Sequence, residues 1–219
     1  MNIRVRFSKH GCLKFIGHLD VMRYFQKAMR RAEIDMCYSE GFSPHMIMSF
    51  ASPLGLGLES DGEYMDISVK QSPSSKEAVE RLNAVMAEGI EVLSWRELPE
   101  NSKNAMASVA GADYEVRFRE GYELEEGWKK KLEEFLALPE IRIMKETKKG
   151  EQEVDIRPWV YDYHIKDQTI FLKVSAGSVH NLKPELLLKA FGDWAGVEIP
   201  AFALLICRKE MYADEGSET

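Results

Sequence analysis

The densest cluster of polar side chains lies near the start of the chain, between Lys9 and Arg31. The N-terminus of a helix offers free backbone N–H groups and the positive end of the helix dipole. Lys14, His18 and Arg23 would surround such a terminus and make it a site for a phosphate or a carboxylate. The alternative is that an acid beside them, Asp20, pairs with Arg23 or favours the helix start, and the cations form a solvated face.

A second candidate cluster is the turn formed by residues 39–45. Gly41 can adopt a positive φ, and Pro44 holds the residue before it in an extended conformation. Loops carry binding residues more often than cores do, so we predict that Ser39, Phe42 and His45 belong to a binding surface. The alternatives are that His45 is an ordinary surface residue and that Phe42 anchors the loop on the core.

The histidines are also candidates for a catalytic role. His18 and His45 could act as acid and base in RNA cleavage, although the sequence identifies no third residue that would orient them. His10, Cys12 and these two histidines have no recognised metal-ligand spacing. The three cysteines are widely spaced and form no CxxC pair, which argues against zinc or an iron–sulfur cluster on this chain. We therefore expect no cofactor on this chain, and we expect the chain acting alone to be a binding protein rather than an enzyme.

Charge is distributed unevenly along the sequence. The net charge is −7, yet residues 1–50 contain eight Lys and Arg against four Asp and Glu, an excess of 8 − 4 = +4. The remaining residues must then carry −7 − 4 = −11, and this asymmetry favours an anionic partner for the beginning of the chain. There is no apolar run of membrane-spanning length and no signal-peptide pattern, so we expect a cytoplasmic protein with no membrane partner.

Hydrophobic periodicity predicts an α+β fold. It consists of two ferredoxin-like (βαββαβ) halves with antiparallel sheets, residues 1–99 and 111–213, followed by a frayed tail at 214–219. In the first half the pattern predicts strands at 2–7, 46–51, 62–70 and 90–98, and helices at 18–33 and 75–87. In the second half it predicts strands at 112–119 and 201–209, helices at 123–137 and 183–194, and two hairpins, 141–147 with 152–156 around Lys149-Gly150 and 160–166 with 169–176.

The helix at 18–33 is predicted to be amphipathic. Its buried stripe would consist of Leu19, Met22, Phe25, Met29 and Ala32. Its exposed face would consist of Asp20, Arg23, Lys27, Arg30 and Arg31. Two acids on the strand at 62–70, Glu63 and Asp66, are expected at a solvated sheet edge.

The chain contains the motifs Phe7-Ser8-Lys9-x-Gly11-x-Leu13-x-Phe15-Ile16-Gly17-His18-Leu19-Asp20-x-Met22-Arg23, Arg30-Arg31-Ala32, Tyr38-Ser39-x-Gly41-Phe42-Ser43-Pro44-His45, Ser60-x-x-Glu63-Tyr64-x-Asp66 and Asp155-Ile156-Arg157-Pro158. Together these motifs resemble the radical SAM-associated (radical SAM-linked) proteins, a bacterial family of unknown function. Gly17 stands where the family usually has serine, and Met46-Ile47 where Pro-Lys is common. The CxxxCxxC motif of radical SAM enzymes is absent. The resemblance implies that a radical SAM enzyme acts in trans as a partner.

Three functional hypotheses follow. The first is an accessory protein that binds substrate, most simply RNA such as tRNA or rRNA, for the radical SAM enzyme through Lys14, His18, Asp20, Arg23, Lys27, Arg30, Arg31, Ser39, Phe42 and His45. The second is a protein–protein adaptor whose basic surface binds an acidic partner without nucleic acid. The third is a metal-independent endoribonuclease that uses His18 or His45; the predicted element order is similar to that of the RNA-processing endoribonucleases of CRISPR systems.

Overall fold

The computed structural model describes residues 1–147 and 150–213 and has a mixed α+β fold with a mostly antiparallel main sheet. The chain divides into two compact units. One contains residues 1–110 together with the residues from Arg208, and the other contains residues 111–207. The expected tail at 214–219 and Lys149 of the expected turn lie outside the described residues.

The first unit contains most of the elements that position the candidate site. They are β1 (Asn2–Lys9), α1 (His18–Arg31), β2 (Met48–Phe50), β3 (Glu59–Ser68), α2 (Ser75–Asn83), β4 (Ile90–Glu97) and α3 (Ala105–Ser108), with a 3-10 helix at Gly11–Phe15. β1 pairs with β4 on one side and with β3 on the other, and β2 pairs with residues 65–67 of β3. The last strand of the chain, β10 (Leu204–Ala213), also neighbours β3. The predicted strands and helices of this half are confirmed within a few residues at their ends, whereas α3 and the 3-10 helix were not predicted.

Alternation along the strands and helical periodicity create the core of this unit. Ile3, Val5 and Phe7 of β1 are buried, and they pack with the inward side of α1. That side consists of Val21, Phe25, Ala28 and Met29, followed by Ala32 after the last turn. These residues recur every three or four positions and form one apolar stripe.

Leu19 does not belong to this stripe, so its predicted burial is wrong. Its side chain is 62% exposed. At 3.6 residues per turn Leu19 lies about 120° around the helix from Phe25, whereas Val21 lies only about 40° away. The apolar side chain of Leu19 therefore contributes to the surface and not to the core.

The expected positions of Glu63 and Asp66 at a sheet edge are also wrong. β3 lies between β1 and β10 in the strand order, so it is an interior strand. Glu63 is only 4% exposed, and the carboxylate of Asp66 pairs with Arg4 at 2.8 Å. Acidic residues on an interior strand must find cationic partners, because the burial of an unpaired charge is unfavourable.

The second unit contains its own sheet and helices. Its elements are β5 (Val109–Phe118), α4 (Trp128–Leu136), β6 (Arg142–Thr147), β7 (Gly150–Asp155), β8 (Val160–Lys166), β9 (Thr169–Ser175) and α5 (Pro184–Ala195), with 3-10 helices at Arg157–Trp159 and Ala201–Ala203. The order β5–β9–β8 is antiparallel, and β6 and β7 form a separate two-stranded sheet. Both predicted hairpins are confirmed. Among the described residues, no helix has the length and apolar character needed to cross a bilayer.

Candidate functional site

The exposed face of α1 is cationic, as its periodicity predicts. Arg23, Lys27, Arg30 and Arg31 are all exposed. Arg23 contacts Asp20 at 3.2 Å, but both side chains are more than 60% exposed, and ion pairs of this kind contribute little to stability. The other three cations form no ion pair with any residue that the structure describes. This face therefore leaves positive charge available to an anionic ligand.

The other four cations of residues 1–50 are engaged inside the first unit. Arg4 pairs with Asp66 at 2.8 Å, Arg6 with Glu210 at 2.8 Å, Lys14 with Glu59 at 3.3 Å, and Lys9 is buried near Glu63. The excess of positive charge counted in the sequence is thus concentrated on one helix face, which we call the α1 cationic face (Arg23, Lys27, Arg30 and Arg31).

The first turn of α1 does not gather the residues expected around a phosphate. Lys14 contacts Glu59, and Arg23 contacts Asp20. The half-buried His18 packs its ring edge-on against Phe50, with the ring centroids 5.0 Å apart. The three side chains predicted to converge are therefore directed to three different partners.

The turn at 39–45 is held closed by its own hydrogen bonds. The backbone N–H of Ser39 donates to the carbonyl oxygen of His45 at 2.9 Å, and the backbone N–H of His45 donates to the Ser39 Oγ at 3.1 Å. The same Oγ lies 2.8 Å from His45 Nδ1. The carbonyl oxygen of Ser43 lies 3.5 Å from the same Nδ1, so the turn holds the ring by its Nδ1 edge. The turn thus presents the Nε2 edge of the ring, which donates or accepts according to the tautomer.

Phe42 projects from the same turn. Its side chain is fully exposed, with a relative exposure of 112%, so it does not anchor the loop on the core. Gly41, immediately before it, has φ of 106°, a conformation that favours glycine. An exposed aromatic ring on a constrained turn is suited to stacking on a planar ligand.

Ser39 and His45 line a groove on the first unit with a volume of ≈ 460 Å³. Its polar members include Asn2, Ser49, Ser68 and Asn104, and its apolar members are Ile47, Met48, Ile67, Leu98 and Pro99. We call it the β2–β3 groove after the strands that supply Met48, Ser49, Ile67 and Ser68. Of the sequence-predicted residues, the structure places Ser39 and His45 in one groove and the four cations on one helix face.

A buried charged cluster was missed by the sequence prediction. Arg208 donates to both carboxylate oxygens of Glu63, at 2.8 and 2.6 Å, and to the carbonyl oxygen of Ser52 at 2.9 Å. Lys9, only 2% exposed, donates to the carbonyl oxygen of Ile16 at 3.2 Å. Burial lowers the pKa of Lys9, the Glu63 carboxylate opposes that shift, and the Arg208 charge adds to it.

Alternation in the sequence was the signal that could have found this cluster. Lys9 continues the inward series of Ile3, Val5 and Phe7, and Arg208 continues that of Leu204 and Ile206. The cavity beside Lys9, Glu63 and His18 measures ≈ 20 Å³, about the space of one water molecule. The cluster is thus too enclosed to receive a substrate, and it holds β1, β3 and β10 together.

An exposed apolar patch lies close to the start of α1. Phe15, Leu19 and Leu56 are 67%, 62% and 66% exposed. The backbone N–H of Gly57 donates to the carbonyl oxygen of Lys14 at 2.9 Å, which brings the loop carrying Leu56 beside Phe15. Among the described residues, no group of three His, Cys, Asp or Glu side chains is placed to hold a metal ion.

Comparisons with known proteins place the chain in a family and find solved structures of similar fold. A chain in a crystal structure of a Cbf5–Nop10–Gar1 complex is similar in fold, with a TM-score of 0.52 and 11% sequence identity. The match covers 97% of the present chain and 50% of the other, so the present chain spans about half the length of that protein. The comparison with curated proteins found no match. Residues 2–184 match the family described as uncharacterized proteins conserved in bacteria (DUF2344), and the chain therefore belongs to that family.

Proposed function

We propose that this protein is a cytoplasmic accessory that binds RNA for a radical SAM enzyme and has no cofactor of its own. The observation that carries the proposal is the α1 cationic face, on which Lys27, Arg30 and Arg31 form no ion pair with any described residue. Cations that are not neutralised within a protein are suited to contact phosphates, and such contacts supply most of the affinity in sequence-independent binding of nucleic acid.

In this proposal the contacts divide between two parts of the first unit. Arg23, Lys27 and Arg30 recur at i, i+4 and i+7 along α1 and would follow an RNA backbone. Phe42 would stack on a base, and the Nε2 edge of His45 would form a hydrogen bond with the substrate. Lys14, His18 and Asp20 would act indirectly, through the ion pair with Glu59, the packing on Phe50 and the contact with Arg23.

The radical SAM enzyme is proposed as a separate polypeptide. The support is the resemblance of the motifs around His18, His45 and Glu63 to proteins linked with such enzymes. The three cysteines of the sequence, Cys12, Cys37 and Cys207, form no disulfide and are widely spaced along the chain. The chemical step in RNA modification would therefore belong to the partner, and this chain would present the substrate.

We also propose that the two halves of the sequence, residues 1–99 and 111–213, arose by duplication of a ferredoxin-like element order. In the first unit the strand order is β4–β1–β3–β2. The fourth strand in chain order therefore pairs with the first, the first with the third, and the third with the second. The strand order β10–β5–β9–β8 follows the same rule once β6 and β7 are treated as an insertion. Both orders support the proposal, and the second helix of each precedes the last strand.

The first experiment is to ask whether RNA co-purifies with the protein at low salt. The test variant is Arg23→Glu/Arg30→Glu. The matched control is Lys130→Glu/Lys131→Glu on α4, where two exposed lysines undergo the same change of charge. RNA with the wild type and the control but not with the test variant is the expected result, because only α1 carries the proposed phosphate contacts. Absence of RNA from wild type, or equal RNA on all three, would remove the proposal.

Salt dependence gives a quantitative form of the same test. Four phosphate contacts on a single strand predict a slope of log K against log salt of about −2.8, and hence a loss of affinity of about 50-fold between 50 and 200 mM salt. Arg23→Ala/Arg30→Ala removes two contacts and should reduce the slope to about −1.4. Fluorescence anisotropy with a labelled single-stranded 8-mer measures both slopes. Equal slopes for the variant and the wild type would contradict the assignment.

A second candidate function is supported by the exposed apolar patch. Phe15, Leu19 and Leu56 would suit a protein partner, in which case the chain is an adaptor without nucleic acid. Capture of a radical SAM protein, free of RNA, by the wild type but not by Leu19→Glu/Leu56→Glu would favour this function. The remaining hypothesis, an endoribonuclease, would require RNA cleavage that survives a chelator and is lost in His45→Ala.

A further inference from the structure

We infer that the β2–β3 groove holds one unstacked base of the bound RNA and recognises it through carbonyl oxygens on the base. This inference rests on the proposed function and gives it a substrate class. The groove volume of ≈ 460 Å³ falls within the range of about 300–1,000 Å³ that is typical of small-molecule sites. It combines an apolar floor with a polar rim, which suits a flat heterocycle.

The two side-chain amides of the groove present hydrogen-bond donors. The Oδ1 of Asn2 already accepts from Ser68 Oγ at 2.9 Å, and the Oδ1 of Asn104 already accepts from the backbone N–H of Ala107 at 2.8 Å. Each side-chain amide therefore offers its NH2 group. His45 adds the Nε2 edge of its ring, because its Nδ1 is engaged by Ser39, and the serine hydroxyls of the rim can donate or accept. A ligand that fits the two amides must present acceptors.

The single charged acceptor in the groove is already engaged. Asp66 accepts from Arg4 Nε at 2.8 Å, from Arg4 Nη2 at 3.1 Å and from the backbone N–H of Ala105 at 2.6 Å. Its charge is therefore balanced within the protein and does not attract a cationic ligand. Uracil, cytosine and guanine carry carbonyl oxygens, whose two lone pairs can accept from both amides at once, whereas the acceptors of adenine are ring nitrogens with one lone pair each, so the groove favours the first three over adenine.

The groove is not a phosphate site. No lysine or arginine side chain lines it among the residues that the structure describes. The cations that could contact the RNA backbone are those of the α1 cationic face, and phosphate and base would be recognised at different places. Phe42 stands three residues from both Ser39 and His45 in the same turn, and it can stack on a neighbouring base of the same strand.

The test uses free nucleosides, which lack the phosphates that α1 would bind. Uridine and adenosine are titrated into the full-length protein, and two-dimensional NMR follows the imidazole signals of His45. We expect uridine to shift these signals and to bind at least fivefold more tightly than adenosine. Ser49→Leu should abolish binding, because a leucine at this half-buried position fills the groove.

Variants at His45 separate hydrogen bonding from packing. His45→Phe keeps a ring but removes both ring nitrogens, and should weaken uridine binding about tenfold. His45→Gln keeps a side-chain N–H donor and should bind within about threefold of wild type. Thermal unfolding of each variant verifies that it is folded. Equal binding of both nucleosides, or uridine binding that is unchanged in both Ser49→Leu and His45→Phe, would overturn the inference.

A last comparison keeps the two proposals distinguishable. Anisotropy is measured on a uridine 8-mer and on the same 8-mer with one abasic position, with wild type, Ser49→Leu and Arg23→Ala/Arg30→Ala. If the arginine variant binds RNA weakly but Ser49→Leu binds both oligomers like wild type, the groove inference fails and the proposed function stands. If uridine occupies the groove while the arginine variant binds RNA as tightly as wild type, the groove inference stands as a nucleoside site and the proposed function fails.

Discussion

The buried pair of Glu63 and Arg208 should be among the strongest determinants of stability in the first unit. Their side chains are 5% and 3% exposed, and the carboxylate receives two hydrogen bonds of 2.6 and 2.8 Å. Removal of one partner of such a pair costs about 3–5 kcal/mol, because the other charge remains buried without compensation. A typical domain is stable by only about 5–15 kcal/mol, so either single substitution is expected to affect the protein severely.

The two single substitutions should not cost the same. Glu63→Gln removes the only acid that opposes the lowered pKa of Lys9, so it leaves two buried cations, Lys9 and Arg208. We expect it to cost about 5 kcal/mol, at the upper end of the range. Arg208→Met leaves Glu63 facing Lys9 and should cost about 3 kcal/mol.

The assay is a double-mutant cycle in which circular dichroism at pH 7 monitors unfolding in urea. The losses of unfolding free energy in the two single variants, added together, should exceed the loss in the double variant Glu63→Gln/Arg208→Met by more than about 1.5 kcal/mol. The reason is that residues in one charged network are coupled. The triple variant Glu63→Leu/Arg208→Met/Lys9→Met, an apolar replacement of the cluster, should recover most of the lost stability. Single costs below about 1 kcal/mol, or additive costs in the cycle, would refute the reasoning.

Three further predictions concern pH and backbone conformation. Burial lowers the pKa of Lys9 below 10.5, so the folded state holds fewer protons than the unfolded chain just below that pH. Wild type should therefore gain stability relative to Lys9→Met between pH 8 and 10.5 in urea denaturation, and a constant difference would contradict this. Burial raises the pKa of Glu59, but the hydrogen bonds from Lys14 and Gly11, together with the charges of Lys14 and His10, outweigh burial and lower it. This contribution to stability is therefore present above pH 4.5 and is lost as the pH falls. Glu59→Gln should make the acid side of the stability profile shallower, and an unchanged profile would exclude that role. Gly89 has φ of 99°, and a Cβ there would lie 2.6 Å from a backbone oxygen, whereas Gly121, with φ of 82°, has open space. Gly89→Ala should therefore lower the melting temperature more than the control Gly121→Ala, and equal losses would show that only the positive φ matters.

Local sequence patterns were sufficient for the helices and strands and for the outward face of α1. The polar residues Arg23, Lys27, Arg30 and Arg31 recur at helical spacing, and the structure exposes all four. The same pattern wrongly predicted that Leu19 is buried, because a spacing of three or four residues matches the helical period only approximately. The angle around the helix axis between Leu19 and Phe25 decides that Leu19 lies on the exposed side.

The order of the strands in the sheet decided whether the acids on β3 are buried and paired or solvated. The sequence places Glu63 on a strand but does not reveal whether that strand lies at an edge, because order depends on which strands meet in space. Arg208, its partner, stands 145 residues away along the chain. The alternation of apolar residues already directs both side chains inward. The sequence therefore indicated that the two residues are buried, but not that they pair with each other.

By itself, the sequence determined the α+β class, the element order and the cationic side of α1, because these depend on short-range periodicity and on residue type. Only the tertiary structure decided which cations are neutralised, since Arg4 and Asp66 are 62 residues apart and Arg6 and Glu210 are 204 apart. The same is true of the β2–β3 groove, whose walls come from residues 2, 39–49, 66–68 and 98–104. Long-range pairing of strands brings such segments together, and no local pattern encodes the distances between them.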